Sequence, residues 1–123
     1  MDTLGQKGED LVASHYQKLG YKLVERNYKT SFGKQTGEID LIFSKDKDLV
    51  FVEVKTRSNK RFGTAFDSVD FFKQRKLVRT SKMFVHLHPK WFDFNVRIDV
   101  AAVDVDNQPE PVIILMNAIE DLD

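Results

Sequence analysis

Asp40, Glu53 and Lys55 are charged residues set inside otherwise apolar stretches. The first stretch is Gly37-Glu38-Ile39-Asp40-Leu41-Ile42; the second is Leu49-Val50-Phe51-Val52-Glu53-Val54-Lys55-Thr56-Arg57. Each reads as a strand, and the polar run Ser44 to Asp48 reads as the turn between them. Side chains on a strand alternate faces. Val50, Val52, Val54 and Thr56 make a β-branched face suited to a core. The opposite face, Leu49, Phe51, Glu53, Lys55 and Arg57, is apolar at one end and polar from midway. That pattern predicts a strand buried at one end and open to a cleft at the other. In the first strand Glu38, Asp40 and Ile42 share one face, and Ile39, Leu41 and Phe43 the other. A turn centred on Asp46-Lys47 sets Asp40 opposite Glu53, Glu38 opposite Lys55 and Ile42 opposite Phe51, matching acid with base and apolar with apolar.

Paired strands lie about 4.8 Å apart, so the carboxylates of Asp40 and Glu53 could share one ion. Without a cation, two like charges that close raise a pKa. An all-oxygen site beside water suits Mg²⁺ or Mn²⁺ rather than zinc. Such a metal activates water and stabilises charge building on a phosphate. Lys55, on the same face as Glu53, could position that water or neutralise the developing charge. A solvated ion pair is the plain alternative for any one of these residues; the three together inside two apolar strands favour a metal centre.

The elements around this hairpin read as one α/β domain spanning residues 1–123, in the order α-β-β-β-α-β-β around a mixed sheet. Residues 3–19 predict a helix with Leu4, Gly8, Leu11, Val12, His15, Tyr16 and Leu19 on one face, capped by Asp2 or Thr3 and ended by Gly20. Gly8 inside it suggests a close approach to another backbone. Residues 21–28 read as a strand and 29–36 as a polar loop. A second helix is expected over 67–87, capped by Asp67, with Val69, Phe72, Leu77, Phe84 and Leu87 apolar; Pro89 limits it. Strands are expected over 96–105 and 111–116, and Trp91 and Phe92 as core or edge cover. His15, His86 and His88 have no metal-ligand spacing and read as packing or surface residues; Asp99 and Asp104 read as structural ion-pairing groups.

At 123 residues, 41% of them hydrophobic and 31% charged, the chain is long enough for a sizeable core. No apolar run approaches a membrane span, and the first residues show no basic stretch followed by an apolar one, so neither a spanning segment nor a secretory signal is expected. A cytoplasmic protein with no membrane partner is the expectation. The absence of cysteine excludes disulfides and thiolate metal sites. Nineteen basic residues balance nineteen acidic ones, which excludes binding to nucleic acid through net charge alone. The bases are nevertheless crowded between Lys55 and Lys82, where only Asp67 and Asp70 are acidic, so a neutral total hides a basic face. Arg57, Lys60, Arg61, Lys73 and Lys76 surround the expected cleft in sequence and read as phosphate contacts or as solvated charge, and Phe62 could stack on a base.

Asp40 followed by Glu53-Val54-Lys55 resembles the D-(x)n-E-x-K signature of restriction-endonuclease-like nucleases. The fuller pattern adds the two strand motifs, Gly8-Glu9, Arg26-Asn27-Tyr28, Lys73-Gln74-Arg75-Lys76-Leu77 and Arg97-Ile98-Asp99-Val100. It resembles the YraN-like family of small bacterial proteins, which is similar in fold to archaeal Holliday-junction resolvases. The resemblance implies metal ligation by Asp40 and Glu53 with the Val54 carbonyl, and Lys55 as the catalytic lysine. Glu9 matches an acid that helps hold the metal in related nucleases; it is equally an acid favoured by the helix dipole. Glu38 would support the site or pair with Lys55, and Gln74 or Lys73 would reach it from the second helix or lie on an exposed polar face. The implied activity is a Mg²⁺- or Mn²⁺-dependent endonuclease acting on DNA, branched or single-stranded, in repair or recombination. A homodimer would bring two sites to two strands. The alternative is a non-catalytic module that keeps the fold and binds nucleic acid or a protein partner.

Overall fold

Thr3 accepts a hydrogen bond from the Gln6 backbone N–H while the Gln6 side chain accepts one from the Thr3 N–H. This reciprocal cap starts helix α1, Leu4–Lys18. Gly20, at φ +94°, turns the chain out of it. The computed structural model describes residues 3–57, 69–107 and 109–120. From α1 the chain runs into β1 (Lys22–Phe32), β2 (Gln35–Lys45) and β3 (Asp48–Arg57), then α2 (Phe71–Leu87), a 3-10 turn (Pro89–Trp91), β4 (Asn95–Asp104) and β5 (Val112–Leu115). The strands form one mixed sheet in the order β1-β2-β3-β4-β5. All neighbours are antiparallel except β3 and β4. That parallel pair needs a long crossover, which contains α2. The expected order of elements and the mixed sheet are both present.

The β2–β3 ladder pairs Leu41 with Val52, Ile42 with Phe51 and Lys45 with Asp48 around the Asp46-Lys47 turn, the register read from the sequence. The stretch 29–36, expected as a loop, is instead the far end of the β1–β2 ribbon. Lys29 pairs with Glu38 and Phe32 with Gln35, and Gly33, at φ +65°, opens a two-residue turn. Its side chains are polar because β1 is an edge strand that alternates exposed and half-buried residues; the ladder bonds that hold it are made by the backbone whatever the side chain.

Both faces of the sheet are covered, so β3 and β4 are apolar on both sides. On one face Val12, Ala13 and Tyr16 of α1 pack on Leu41, Phe43, Val50, Val52, Ala101 and Val103. On the other, Leu77, Val78 and Phe84 of α2 pack on Ile42, Leu49, Phe51, Ile98 and Val100. Each helix buries only part of the face the periodicity suggested, with small residues added to it. Gly8, Val12, Ala13 and Tyr16 are buried in α1, whereas Leu4, Leu11 and Leu19 are exposed. In α2, Phe72 and Leu87 are exposed while Thr80 and Ser81 are buried. Their hydroxyls donate to the Lys76 and Val78 carbonyls, so the small polar residues sit inside without an unmet donor. The helix starts after Asp70, which accepts from the Lys73 N–H, rather than at Asp67, which lies outside the described residues. Trp91 packs against the α2-side core, but Phe92 is exposed. His88 stacks on Phe84 and His15 meets the Tyr16 edge, both packing roles.

Gly8 is where α1 touches β3. A Cβ there would overlap the Thr56 side chain, including its Cβ and Cγ2. Gly8→Ala is therefore expected to push α1 off the sheet and destabilise the protein by about 1–3 kcal/mol despite alanine's better helix propensity. A urea melt of that variant with an unchanged midpoint would show that the contact relaxes freely.

Candidate active site

β3 delivers the polar half of its α2-facing side as expected: Leu49 and Phe51 are fully buried, and Glu53 and Lys55 emerge beyond them, partly exposed. Beyond the Leu41–Val52 pair, the Val54 N–H donates to Asp40 Oδ2 at 2.8 Å. Asp40 thereby stands between the two strands and contacts Glu53 directly. Burial, then the Glu53 carboxyl, push Asp40 up from the ordinary 3.8 to about 8, against the Val54 N–H and Lys55, which favour the charged form.

Lys55 Nζ lies 3.6 Å from Glu53 Oε2. The expected Glu38–Lys55 pair is not formed. Glu38 faces Lys29 on β1, at 3.7 Å, because β1–β2 pairing continues past the point where the β2–β3 ladder stops. Ile39 also departs from the expected alternation. It joins Ile42 and Phe51 in the core under α2 rather than Leu41 and Phe43. Gly37 permits this close approach, since a Cβ there would overlap the Thr80 side chain of α2.

Glu9 arrives from the other side of the sheet, carried by α1. Arg26 gives its best contact to Asp10, at 2.7 Å, and stands 3.4 Å from Glu9 Oε1. That oxygen is buried and has no hydrogen-bond partner among the described residues. Burial and then the Asp40 charge raise the Glu9 pKa. Among the described residues no three His, Cys, Asp or Glu side chains are gathered into a set that could hold a metal ion. Two carboxyls touch, and the third is their electrostatic neighbour.

A cleft of about 500 Å³ opens over this centre, lined by Thr36, Glu38, Asp40, Glu53, Val54, Lys55, Lys73, Lys76 and Leu77. Seven of the sequence-selected residues thus share one cavity. Gln74 does not line it; its side-chain amide donates to the Val69 carbonyl ahead of α2. Arg57 donates to the Thr56 carbonyl and lies outside the cleft wall. Lys60, Arg61 and Phe62 lie outside the described residues. Thr36 was missed because it falls in the stretch that reads as a loop. Phe72, 82% exposed one turn from Lys76, was missed because its spacing reads as core.

Asp99 is a structural group, as expected. It is fully buried and accepts from Tyr16 Oη at 2.7 Å, Arg97 Nε at 3.0 Å and the Asn117 N–H at 2.8 Å. Asp104 is also fully buried; one of its oxygens accepts from the Asp106 N–H at 3.0 Å, and no ion pair to it is formed among the described residues. No helix among the described residues is long and apolar enough to cross a membrane.

The family model described as "Uncharacterised protein family UPF0102" matches residues 8–103. A UPF0102 protein of Stutzerimonas stutzeri (strain A1501) is 34% identical over 116 residues, covering 94% of this chain and 93% of the relative. One from Syntrophomonas wolfei is 36% identical over 115 residues, covering 94% and 96%. One from Chloroherpeton thalassium is 37% identical over 104 residues, covering 85% and 77%. With the match running from Gly8 through Asp40, Glu53 and Lys55, the chain belongs to the UPF0102, or YraN-like, family.

Proposed function

We propose that this protein is a divalent-metal-dependent nuclease that hydrolyses phosphodiester bonds in DNA. The observation that carries the reading is the direct contact of two carboxyls, Asp40 and Glu53, in a cleft whose other charged walls include Lys55, Lys73 and Lys76. The donor set fits a hard cation. Burial and the Glu53 carboxyl push the Asp40 carboxyl up to about 8, so it carries a proton near neutrality. A cation would take the place of the proton. Mg²⁺ commonly uses one or two protein carboxylates and fills its remaining positions with water and phosphate oxygens. Asp40 and Glu53 would hold it, with the Val54 carbonyl as a further oxygen donor; Glu9, paired with Arg26 and outside the cleft lining, would act on the ion through its charge. When bound, the ion supplies a more acidic water and neutralises charge on the phosphate.

The chain's own residues do the remainder. Glu53 holds Lys55 at the cleft, where its ammonium can hold the attacking water or meet charge on the phosphate. Lys73 and Lys76 offer the facing wall to the phosphate backbone. The test is incubation of branched, flapped and single-stranded DNA, and matching RNA, with Mg²⁺ or Mn²⁺ and the wild-type chain or Lys55→Ala. Cleavage of DNA that disappears in the variant supports the reading. DNA binding with no metal uptake and no cleavage would establish a non-catalytic binding module instead.

Phe72, exposed next to Lys73 in the chain and one helical turn from Lys76, would offer its ring to an unpaired base. Phe72→Ala is expected to weaken binding to single-stranded DNA by about 1–3 kcal/mol and to leave binding to blunt duplex unchanged. Equal losses on both would remove stacking as its role.

A further inference from the structure

The candidate cleft does not end the basic surface. The next cavity along, about 500 Å³, is lined by Phe32, Lys34, Gln35, Arg79 and Met83. The two cavities adjoin in both elements that build them. Gln35 and Thr36 are consecutive on β2, and Lys76 and Arg79 are one turn apart on the same side of α2. From Phe71 to Leu87, α2 carries five bases and no acid. The end of the β1–β2 ribbon adds Lys34, and its nearest acid, Glu38, is faced by Lys29. In a chain whose charges sum to zero, this strip concentrates cations.

Arg79 is also held in a set orientation. Its Nη1 donates to Gln35 Oε1 at 3.1 Å and its guanidinium lies 5.6 Å from the centre of the Phe32 ring. Both partners are neutral, and no carboxylate pairs with Arg79 or Lys34 among the described residues. A guanidinium fixed by neutral neighbours keeps its charge and its remaining N–H groups for an outside anion, and its planar fork suits phosphate. An arginine serving only to hold the ribbon against α2 would not need to keep that charge uncompensated.

We propose that Arg79 and Lys34 form a second phosphate-binding site, at the tip of the β1–β2 ribbon, that grips the nucleic-acid strand leaving the candidate active site. The strand runs from Lys73 and Lys76 along α2 to Arg79, about 9 Å further for six helical residues. This rests on the nuclease reading for the direction of the strand, though the grip itself requires no metal.

The test uses the full-length chain in EDTA, so that nothing is cut, and the anisotropy of a fluorescein-labelled single strand at rising salt. Wild type is compared with Arg79→Ala, Arg79→Lys, Lys34→Ala, Lys76→Ala in the cleft, and Lys18→Ala on α1 as a remote control. Arg79→Ala and Lys34→Ala are each expected to weaken binding several-fold and to reduce the slope of log K against log salt by about 0.7. Arg79→Lys should keep the slope and lose less affinity, and Lys18→Ala should match wild type. If Arg79→Ala and Lys34→Ala bind as wild type while Lys76→Ala is weakened, the ribbon site is wrong and the nuclease reading stands. If wild type shows no salt-sensitive binding to any strand, both are wrong. Arg79 and Lys34 are exposed, so the variants should fold; should Arg79→Ala fail to, Arg79→Lys and Lys34→Ala decide the matter.

Discussion

Asp40→Ala is expected to abolish metal-dependent cleavage, and Lys55→Ala to reduce it by about 10²–10³-fold. The two variants should fail differently. On the proposed reading Asp40, which touches Glu53 and accepts from the Val54 N–H, is a cation donor, so its loss should also remove metal binding measured by calorimetry. On the same reading Lys55 would neutralise charge and hold no metal, so Lys55→Ala should bind the ion as wild type does. Cleavage that survives both substitutions would place the chemistry elsewhere. The pH dependence follows from the proton on Asp40. The folded protein keeps that proton up to about pH 8, whereas the unfolded chain loses it near 3.8. Between those values the folded state binds more protons, so this group's contribution to stability falls as pH rises across the window. Asp40→Asn should flatten that part of the stability profile. If a cation takes the place of that proton, as proposed, metal binding to wild type should strengthen as pH rises toward 8, with proton release into the buffer.

Asp99→Ala is expected to cost about 3–5 kcal/mol, the largest effect on stability of any single change considered. Asp99 is fully buried on β4 and accepts from α1 through Tyr16, from its own strand through Arg97, and from the chain after β5 through the Asn117 N–H. Its removal leaves the buried Tyr16 phenol without its acceptor, takes the acceptor from the Asn117 N–H and leaves Arg97 only Tyr21 Oη, and an unmet buried donor costs more than the bond itself contributes. Tyr16→Phe removes one of these bonds and should cost about 1–3 kcal/mol. The measurement is the urea midpoint at constant slope. A native-like midpoint for Asp99→Ala would show that the cluster is not a keystone between α1 and β4.

Asp40, Glu53, Val54 and Lys55 were legible because the hairpin carries its own register. A strand's side chains repeat every two residues, and a slip by one would expose an apolar face, so the match of Ile42 with Phe51 leaves little freedom. Lys73 and Lys76 were legible as bases around the cleft, but not apart from Gln74 and Arg57, which do not line it, since nothing local says which face of α2 turns to the sheet. The apolar spacing of both helices was right only in part: Gly8, Val12, Tyr16, Leu77 and Phe84 are buried as expected, but Leu11, Phe72 and Leu87 look like core and are exposed, while Thr80 and Ser81 look dispensable and are buried. A helix's buried face is set by what approaches it, and here small residues meet the sheet closely.

The local order, the β2–β3 register and the half-apolar, half-polar face of β3 were determined by the sequence itself, through alternation and turn chemistry acting over a few residues. The tertiary structure alone decided that Asp40 leaves the ladder to meet Glu53 and Val54, that Glu38 faces Lys29, and that Glu9 stands within electrostatic reach of Asp40 from the α1 side. Each of these depends on where one strand pairing ends while another continues, or on Gly8 letting α1 settle against Thr56. Such contacts join residues far apart in the chain and are selected by packing, which no local pattern encodes.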